Sequence, residues 1–383
     1  MKVVLAEKKI QAEELAKPFP HKKARGYIEL LPGATFPKGG FLVWASGHLI
    51  SLAEPDEYDP KYKKWNIQDL PIVPSNFKYK IDRAKSGLYS TIKRFVNDPK
   101  VTEVILATDP AREGELLGRL ILRQAGNKKP VKRLWTSSLT KSAVEQAFQN
   151  LLPEATKRNL YYEAYSRQCA DWLVGMNTSR LYSLMLQSNG VKADGSFSTG
   201  RVQTPLLSLI VERELGIDNF VSKPFWQVFA DFEMNGNFYR GQWYKDSLFN
   251  LPVEKLSLDL IQACQGKPAE IRNVIKEQKQ FKPPLLHNLS SLQTLVNKRH
   301  RYSPQDVGDI VQGLYERGIV SYPRSDSQYV TENEAATFPT ILRKLEEVSE
   351  FSALLPAPIS TLVGNKRYVN PEKVSDHYAS ATR

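Results

Sequence analysis

Short apolar runs alternate with amphipathic stretches over the first 150 or so residues of the chain. KVVLA (2–6) reads as a buried strand, and the KIQAEELAKPF around residues 9–19 has helical spacing. A second apolar run, FLVWAS (41–46), ends in Gly47-His48. SGLYSTIKRFVND predicts a helix, TEVILAT (102–108) a strand, and REGELLGRLILRQAG another helix that closes on Gly126. VKRLW followed by SSLTKSAVEQAFQNLL repeats the strand-to-helix step. Such alternation predicts a mostly parallel sheet covered by helices.

From about residue 151 the pattern changes to long helices, ATKRNLYYEAYSRQCADWLVGMNTSRLYSLML and RVQTPLLSLIVERELGI. Between them SNGVKADGSFSTG (188–200) reads as a flexible loop. Residues 224–250 alternate aromatic and polar positions around Asn235-Gly236, which predicts an antiparallel hairpin. PAEIRNVIKEQKQFKP (268–283) reads as a further strand. Residues 286–317 turn helical again and lead into SYPRSDS (321–327). With 383 residues the chain exceeds one ordinary core, so two to four domains are expected.

Composition adds a polyanionic partner to this picture. Fifty-three Lys and Arg stand against 41 Asp and Glu, a net charge of +12. The acids are still plentiful, which fits a folded enzyme with a basic groove better than a disordered basic arm. No apolar run approaches a membrane span, and MKVVLAEKKI turns charged too soon for a signal peptide. The two cysteines, Cys169 and Cys264, build neither a zinc site nor a disulfide framework. A reducing, cytoplasmic setting is therefore expected, with no membrane partner.

Two places carry candidate chemistry. In LATDPAREGELLGR (106–119), Asp109 stands where a strand gives way to a helix, the edge at which open α/β sheets bind ligands. Asp109 could simply cap that helix, with Pro110 at its first position. Alternatively Glu7, at the end of the first strand, joins Asp109 and Glu113 at one sheet edge. Such carboxylates could hold Mg²⁺ beside a phosphate, or leave one acid free to move protons. Lys8 could then face the phosphate, or be a solvated lysine at a helix start. The second place is Tyr322. A phenol needs nearby positive charge to become a nucleophile, and Arg324 follows two residues on. Equally, Tyr322 could pack as an ordinary buried aromatic.

The combination of motifs narrows these readings. AEK after the first strand, SGHL (46–49), TDPAREGE, RLWTSSLT (133–140), ADWLVGMNTSR (170–180), STGRVQTPLLSLIVERE (198–214) and LYERGIVSYPRSDS (314–327) occur in one order. In this the chain resembles the type IA DNA topoisomerases, and their topoisomerase III branch most closely, from residue 3 to about 330. The resemblance implies a fold of class α/β plus α. A Toprim-like Rossmannoid domain (1–150) would lead into a helical DNA-channel segment (151–217). The first half of a β-rich arch (218–282) and a helical domain bearing the catalytic tyrosine (283–383) would follow.

It also implies roles. Tyr322 would take a DNA phosphate, leaving a 5′-phosphotyrosyl link and a free 3′-hydroxyl. Arg324 would stabilise that phosphate, Glu7 would protonate the leaving oxygen and Lys8 would contact phosphate. Asp109 and Glu113 would be the Mg²⁺ ligands. Arg201, Gln203, Arg167, Asp171, Arg180 and Ser198 would line the channel for single-stranded DNA. His48 could contribute, or merely cap or pack. DNA, mainly in single-stranded regions, is the expected partner, RNA stays open, and a monomer is expected. No nucleotide cofactor is expected, because the phosphotyrosine keeps the bond energy and no GxxxxGK[ST] occurs. In a bacterium the enzyme would sit with the nucleoid or a plasmid.

Three departures qualify the resemblance. The family's Asp-x-Asp-x-Glu pattern has Ala111 in the middle, which implies a weaker, one-ion site. AEKKIQA replaces the usual AEKPS. SDHYASATR starts the family's His-x-Ala-Ile-x-Pro-Thr motif with His377 and Ala379 and then stops, so a chain truncated relative to the family is expected. Two rivals follow: a catalytically impaired single-strand-binding remnant, and a Toprim nuclease or primase.

Overall fold

In the computed structural model, the described residues are 1–192, 195–323, 325–355, 360–374 and 377–381. They form two compact units, Met1–Arg201 with Pro284–Arg383 and, separately, Val202–Pro283.

The first unit is built on a seven-stranded sheet. In chain order its elements are β1 (Lys2–Ala6), α1 (Lys9–Ala16), β2 (His21–Ala24), β3 (Tyr27–Leu30), β4 (Gly40–Trp44), β5 (Ile50–Leu52), β6 (Tyr79–Ile81), α2 (Ser86–Val96), β7 (Glu103–Ala107), α3 (Arg112–Ala125), β8 (Val131–Arg133), α4 (Lys141–Gln149), β9 (Leu152–Pro153) and α5 (Arg158–Ser188). The sheet order is β2-β3-β4-β1-β7-β8-β9. The four central strands β4, β1, β7 and β8 run parallel, and the outer ones pair antiparallel. β5 and β6 form a separate antiparallel pair.

Alternation along the central strands divides the core between the two faces, as the period of two requires. Val3, Leu5, Val104 and Leu106 pack with Ile92 and Phe95 of α2 and with Leu116 and Leu120 of α3. Val4, Ala6, Ile105 and Ala107 pack on the other face with Leu15 of α1 and Val144 and Phe148 of α4. The result is a three-layer α/β/α body with both sheet faces dry. Gly118 lets α3 come close: a Cβ there would lie 2.2 Å from Leu106 Cδ1. The long α5 adds Ala164 to the first cluster and packs Trp172 against Leu52 and Ile72.

The second unit holds α6 (Gln203–Asp218), the hairpin β10 (Phe229–Met234) and β11 (Asn237–Gln242), and α7 (Glu254–Cys264). Asn235 and Gly236 take positive φ at the hairpin turn, as the dipeptide predicted. The strand expected at 268–283 does not form: these residues are irregular. β10 and β11 pair only with each other among the described residues, so no sheet edge in this unit recruits the segment.

The chain re-enters the first unit with α8 (Leu289–His300), α9 (Pro304–Glu316) and α10 (Glu332–Glu346). Ser303 caps α9 in a reciprocal capping box with Asp306, and Pro304 occupies the first helical position. A small core of Val330, Ala335, Val369 and Ala379 holds this part together. Among the described residues no helix is long and apolar enough to cross a membrane.

Candidate active site

Parallel pairing of β1 with β7 puts Ala6 level with Ala107. The residues that follow, Glu7-Lys8 and Thr108-Asp109, therefore leave the sheet at the same edge. The Asp109 backbone N–H donates to Glu7 Oε2 at 3.2 Å. Behind it, Gly114 is required: a Cβ there would lie 2.2 Å from the Asp109 carbonyl oxygen. Arg133, buried on β8, fastens the same turn by donating to Thr108 O at 2.8 Å and Asp109 O at 2.7 Å. Its charge is met by the fully buried Glu115 of α3.

Asp109 does not cap α3. Ala111 occupies the N-cap position and no side chain caps that end. The Asp109 carboxylate turns instead toward α1, where Lys8 Nζ lies 3.1 Å from Oδ2 and Gln11 Nε2 donates to Oδ1 at 2.8 Å. His377 Nε2 lies 3.3 Å from the same Oδ2. Lys8 is thus not a solvated lysine: it also lies 3.4 Å from Glu7 Oε1 and is 29% exposed.

The two carboxyls are driven apart in acidity. Burial pushes the Glu7 carboxyl up, and the adjacent Asp109 charge adds to this against the pull of Lys8. Burial also acts to raise Asp109, but the His377 hydrogen bond and the Lys8 charge hold it well below the usual carboxylate range. For Lys8, burial acts downward, and the Asp109 and Glu7 charges overcome it to hold the ammonium above its ordinary value. A proton offered to this pair resides on Glu7, the arrangement expected of one acid beside one permanent anion.

Tyr322 meets this group from the far end of the chain. Lys8 Nζ stands 4.1 Å from the centroid of its ring, a cation–π contact. Tyr315 of α9 packs edge-on at 5.3 Å, and the His377 ring lies 4.4 Å away. The segment 377–381 runs back along the tyrosine loop. Ser321 N–H donates to Ala381 O at 2.8 Å, and Ser325 Oγ donates to His377 O at 2.8 Å. Lys8, Asp109, Thr136, Ser137, Tyr322 and His377 line a cavity of about 30 Å³. Arg324 lies outside the described residues.

The other residues singled out in the sequence form two groups. Glu113, at the start of α3, is paired with Arg112 (Nε to Oε1, 2.9 Å) and lies 4.0 Å from Arg167. Arg167 lies 3.9 Å from Asp171, which receives a two-pronged contact from Arg201 at 2.7 and 3.3 Å. These side chains are exposed and continuous. Arg180 and Ser198 instead line a separate cavity of about 460 Å³. There Arg180 is 7% exposed, stacks 5.1 Å from Trp65 and donates to Tyr62 O at 2.8 Å. Gln203 is exposed at the start of α6 in the second unit. His48 is exposed, beside Glu113 and Gln168.

The donor chemistry of Asp109 and Glu113, carboxylate oxygens at a strand-to-helix junction, suits a hard cation such as Mg²⁺. Here the Asp109 oxygens are given to Lys8, Gln11 and His377, and that of Glu113 to Arg112. Among the described residues no group of three or more His, Cys, Asp or Glu is set to hold a metal ion. Three contributors escaped the sequence reading as parts of the site: Gln11, Arg133 and the contact of His377 with Asp109. Gln11 lies four residues after Glu7, one helical turn on, and that spacing was the only signal available for it.

Comparison with known proteins defines the class. Residues 2–139 match the Toprim domain model, and residues 155–381 match the DNA topoisomerase family model. The chain belongs to the type IA DNA topoisomerase family. It is 36% identical over 380 residues to the DNA topoisomerase 1 of Alkalihalophilus pseudofirmus, covering 99% of this chain and 54% of that protein. To the DNA topoisomerase 3 of Staphylococcus epidermidis it is 35% identical, covering 98% of this chain and 50% of that one. The structure of full-length topoisomerase I from Thermotoga maritima has the same fold, with a TM-score of 0.52 at 19% identity, over 91% of this chain and 52% of that one. The chain thus spans about half the length of the curated relatives it matches.

Proposed function

We propose that this chain cuts and rejoins one strand of DNA by transesterification, with Tyr322 as the nucleophile. The observation that carries the reading is the place of Lys8. One ammonium touches Glu7, Asp109 and the ring of Tyr322, so three distant pieces of sequence converge on one charge.

In the cutting step the Tyr322 oxygen attacks phosphorus and its proton passes to solvent. The bond from phosphorus to the 3′-oxygen breaks, and that oxygen takes the proton of the Glu7 carboxyl. Rejoining is the reverse attack by the 3′-hydroxyl, with Glu7 as the base. Lys8 supplies positive charge to the phosphate, and Arg324 fits the same task in sequence. Burial, reinforced by the Asp109 charge, raises the Glu7 acid, and Asp109 offsets the burial that acts to lower Lys8. Asp109 and Glu113 would hold Mg²⁺ in exchange for the cations that now neutralise them. When bound, Mg²⁺ supplies charge that positions a phosphate and a 3′-hydroxyl for rejoining.

Single-stranded DNA is the substrate we assign, reaching the tyrosine along Arg167, Asp171 and Arg201 of the first unit, with Arg180 and Ser198 as further contacts there; Gln203 is a separate candidate contact in the second unit. RNA offers the same phosphate chemistry. We assign residues 1–150 to the Toprim part, 151–217 to the channel segment, 218–282 to the first half of the arch and 283–383 to the tyrosine part. The enzyme would work as a monomer in the cytoplasm, alongside the DNA it handles.

The test is a denaturing gel of the protein mixed with end-labelled single-stranded oligonucleotide. A covalent band that disappears in Tyr322→Phe, while native-gel binding persists, supports the proposal. An adduct that survives Tyr322→Phe refutes the nucleophile, a shift on native gels alone reduces the chain to a binder, and free cut ends indicate a nuclease.

A further inference from the structure

We propose that Gln11 is a positioning residue for the Glu7–Asp109 carboxylate pair, an inference that rests on the transesterase reading above. Gln11 is 8% exposed, in the first turn of α1. Its amide spans the two strand ends: Oε1 accepts the Glu7 N–H at 2.7 Å, and Nε2 donates to Asp109 Oδ1 at 2.8 Å. A glutamine at the third helical position ordinarily reaches back to the N-cap N–H. Here it reaches one residue further, to the residue that carries the acid.

The geometry assigns it three tasks. It fixes the main chain of Glu7, and so the direction from which that carboxyl meets the leaving oxygen. It also fixes the plane of the Asp109 carboxylate, because Lys8 and His377 hold only Oδ2. Finally, it does so without charge. A lysine would add a second ammonium beside Lys8, a carboxylate would add a third anion, and an apolar side chain would leave Oδ1 and the Glu7 N–H without these partners. Gln11 lines the same small cavity as Tyr322, but its hydrogen bonds go to Glu7 and Asp109, so its hold is on the carboxylate pair.

Two variants separate positioning from mere packing. Gln11→Met keeps the volume and loses both hydrogen bonds, whereas Gln11→Glu keeps the acceptor for the Glu7 N–H and replaces the donor with an anion. Each is measured for adduct formation at saturating oligonucleotide, for oligonucleotide Kd, for hydrogen exchange of the Glu7 amide and for its urea midpoint. In Gln11→Met, cutting at saturation should fall roughly tenfold with Kd nearly unchanged, and the Glu7 amide should exchange faster. In Gln11→Glu the amide should stay protected. Cutting should fall at least as far as in Gln11→Met. Parent-like cutting in Gln11→Met overturns the proposal, as does parent-like protection of the Glu7 amide. Losses of cutting and binding that merely track the urea midpoint in both variants overturn it too. If the parent itself forms no adduct, the transesterase reading fails, while amide exchange still decides whether the bridge exists.

Discussion

Replacing Lys8 by Met removes the one charge that all three parts of the site share. Its ammonium lies 3.1 Å from Asp109 and 3.4 Å from Glu7, and at an effective dielectric of about 20 each attraction is worth roughly 5 kcal/mol before desolvation. Taking the ammonium out of water cancels most of that. Loss of one member of a buried pair costs about 3–5 kcal/mol. Lys8 is 29% exposed, Glu7 can neutralise itself by taking a proton, and His377 still faces Asp109, so about 2 kcal/mol is the expected loss of stability. Because the Lys8 pKa is raised in the folded state, its stabilisation is fully present below its ordinary pKa and lost only as pH rises through the higher folded value. The Lys8 contribution itself should therefore persist from pH 6 to 9, a window below the ordinary lysine pKa of about 10.4, and the parent–variant difference should widen as pH rises wherever Glu7 stays protonated only in the variant. Urea midpoints across that window measure it. Adduct formation should fall further than stability, since the Tyr322 ring also loses its cation. A Lys8→Met chain with parental urea midpoint and parental adduct yield would refute the shared-charge account.

Other consequences follow from the same geometry. On the proposed mechanism Glu7, whose pKa is raised, gives its proton to the 3′-oxygen, so the cutting rate at saturating oligonucleotide should fall as pH rises through that value; Glu7→Gln should lower the rate and flatten the profile. Asp109→Asn should raise the Mg²⁺ concentration needed for rejoining more than that needed for cutting, and Ala111→Asp should lower it. Coincident metal titrations of the parent and Ala111→Asp would reject the one-ion explanation. Gly114→Ala drives a methyl group to 2.2 Å from the Asp109 carbonyl, and thermal melts should show a loss of about 1–3 kcal/mol. Unchanged stability there would mean that α3 and the Asp109 turn separate more easily than their packing indicates.

The parts of this architecture that depend on local pattern were readable in the residues. Strand-to-helix alternation announced the parallel sheet, and Asn235-Gly236 announced the hairpin, because periodicity and turn preference act within a few residues. The segment 268–283 failed for the complementary reason. Extended character is local, but a strand exists only with a partner, and the segment pairs with neither open edge of the β10–β11 hairpin. The same division runs through the site. Sequence could place Glu7 and Asp109 at strand ends, yet it left Asp109 free to be a helix cap and Lys8 free to be solvated. What removes both alternatives is contact over long separations: Gln11 on one oxygen of Asp109, and Lys8 and His377 on the other. Ala111 shows how a local substitution acquires meaning only in this setting. At the N-cap of α3 a short polar side chain would be the ordinary choice, and alanine leaves that end uncapped, with Asp109 already committed elsewhere. The acid at 109 is thus held by electrostatics rather than by helix geometry. That is why the orientation of its carboxylate should respond to changes at Lys8, Gln11 and His377, whereas a change on α3 such as Gly114→Ala acts on its main chain.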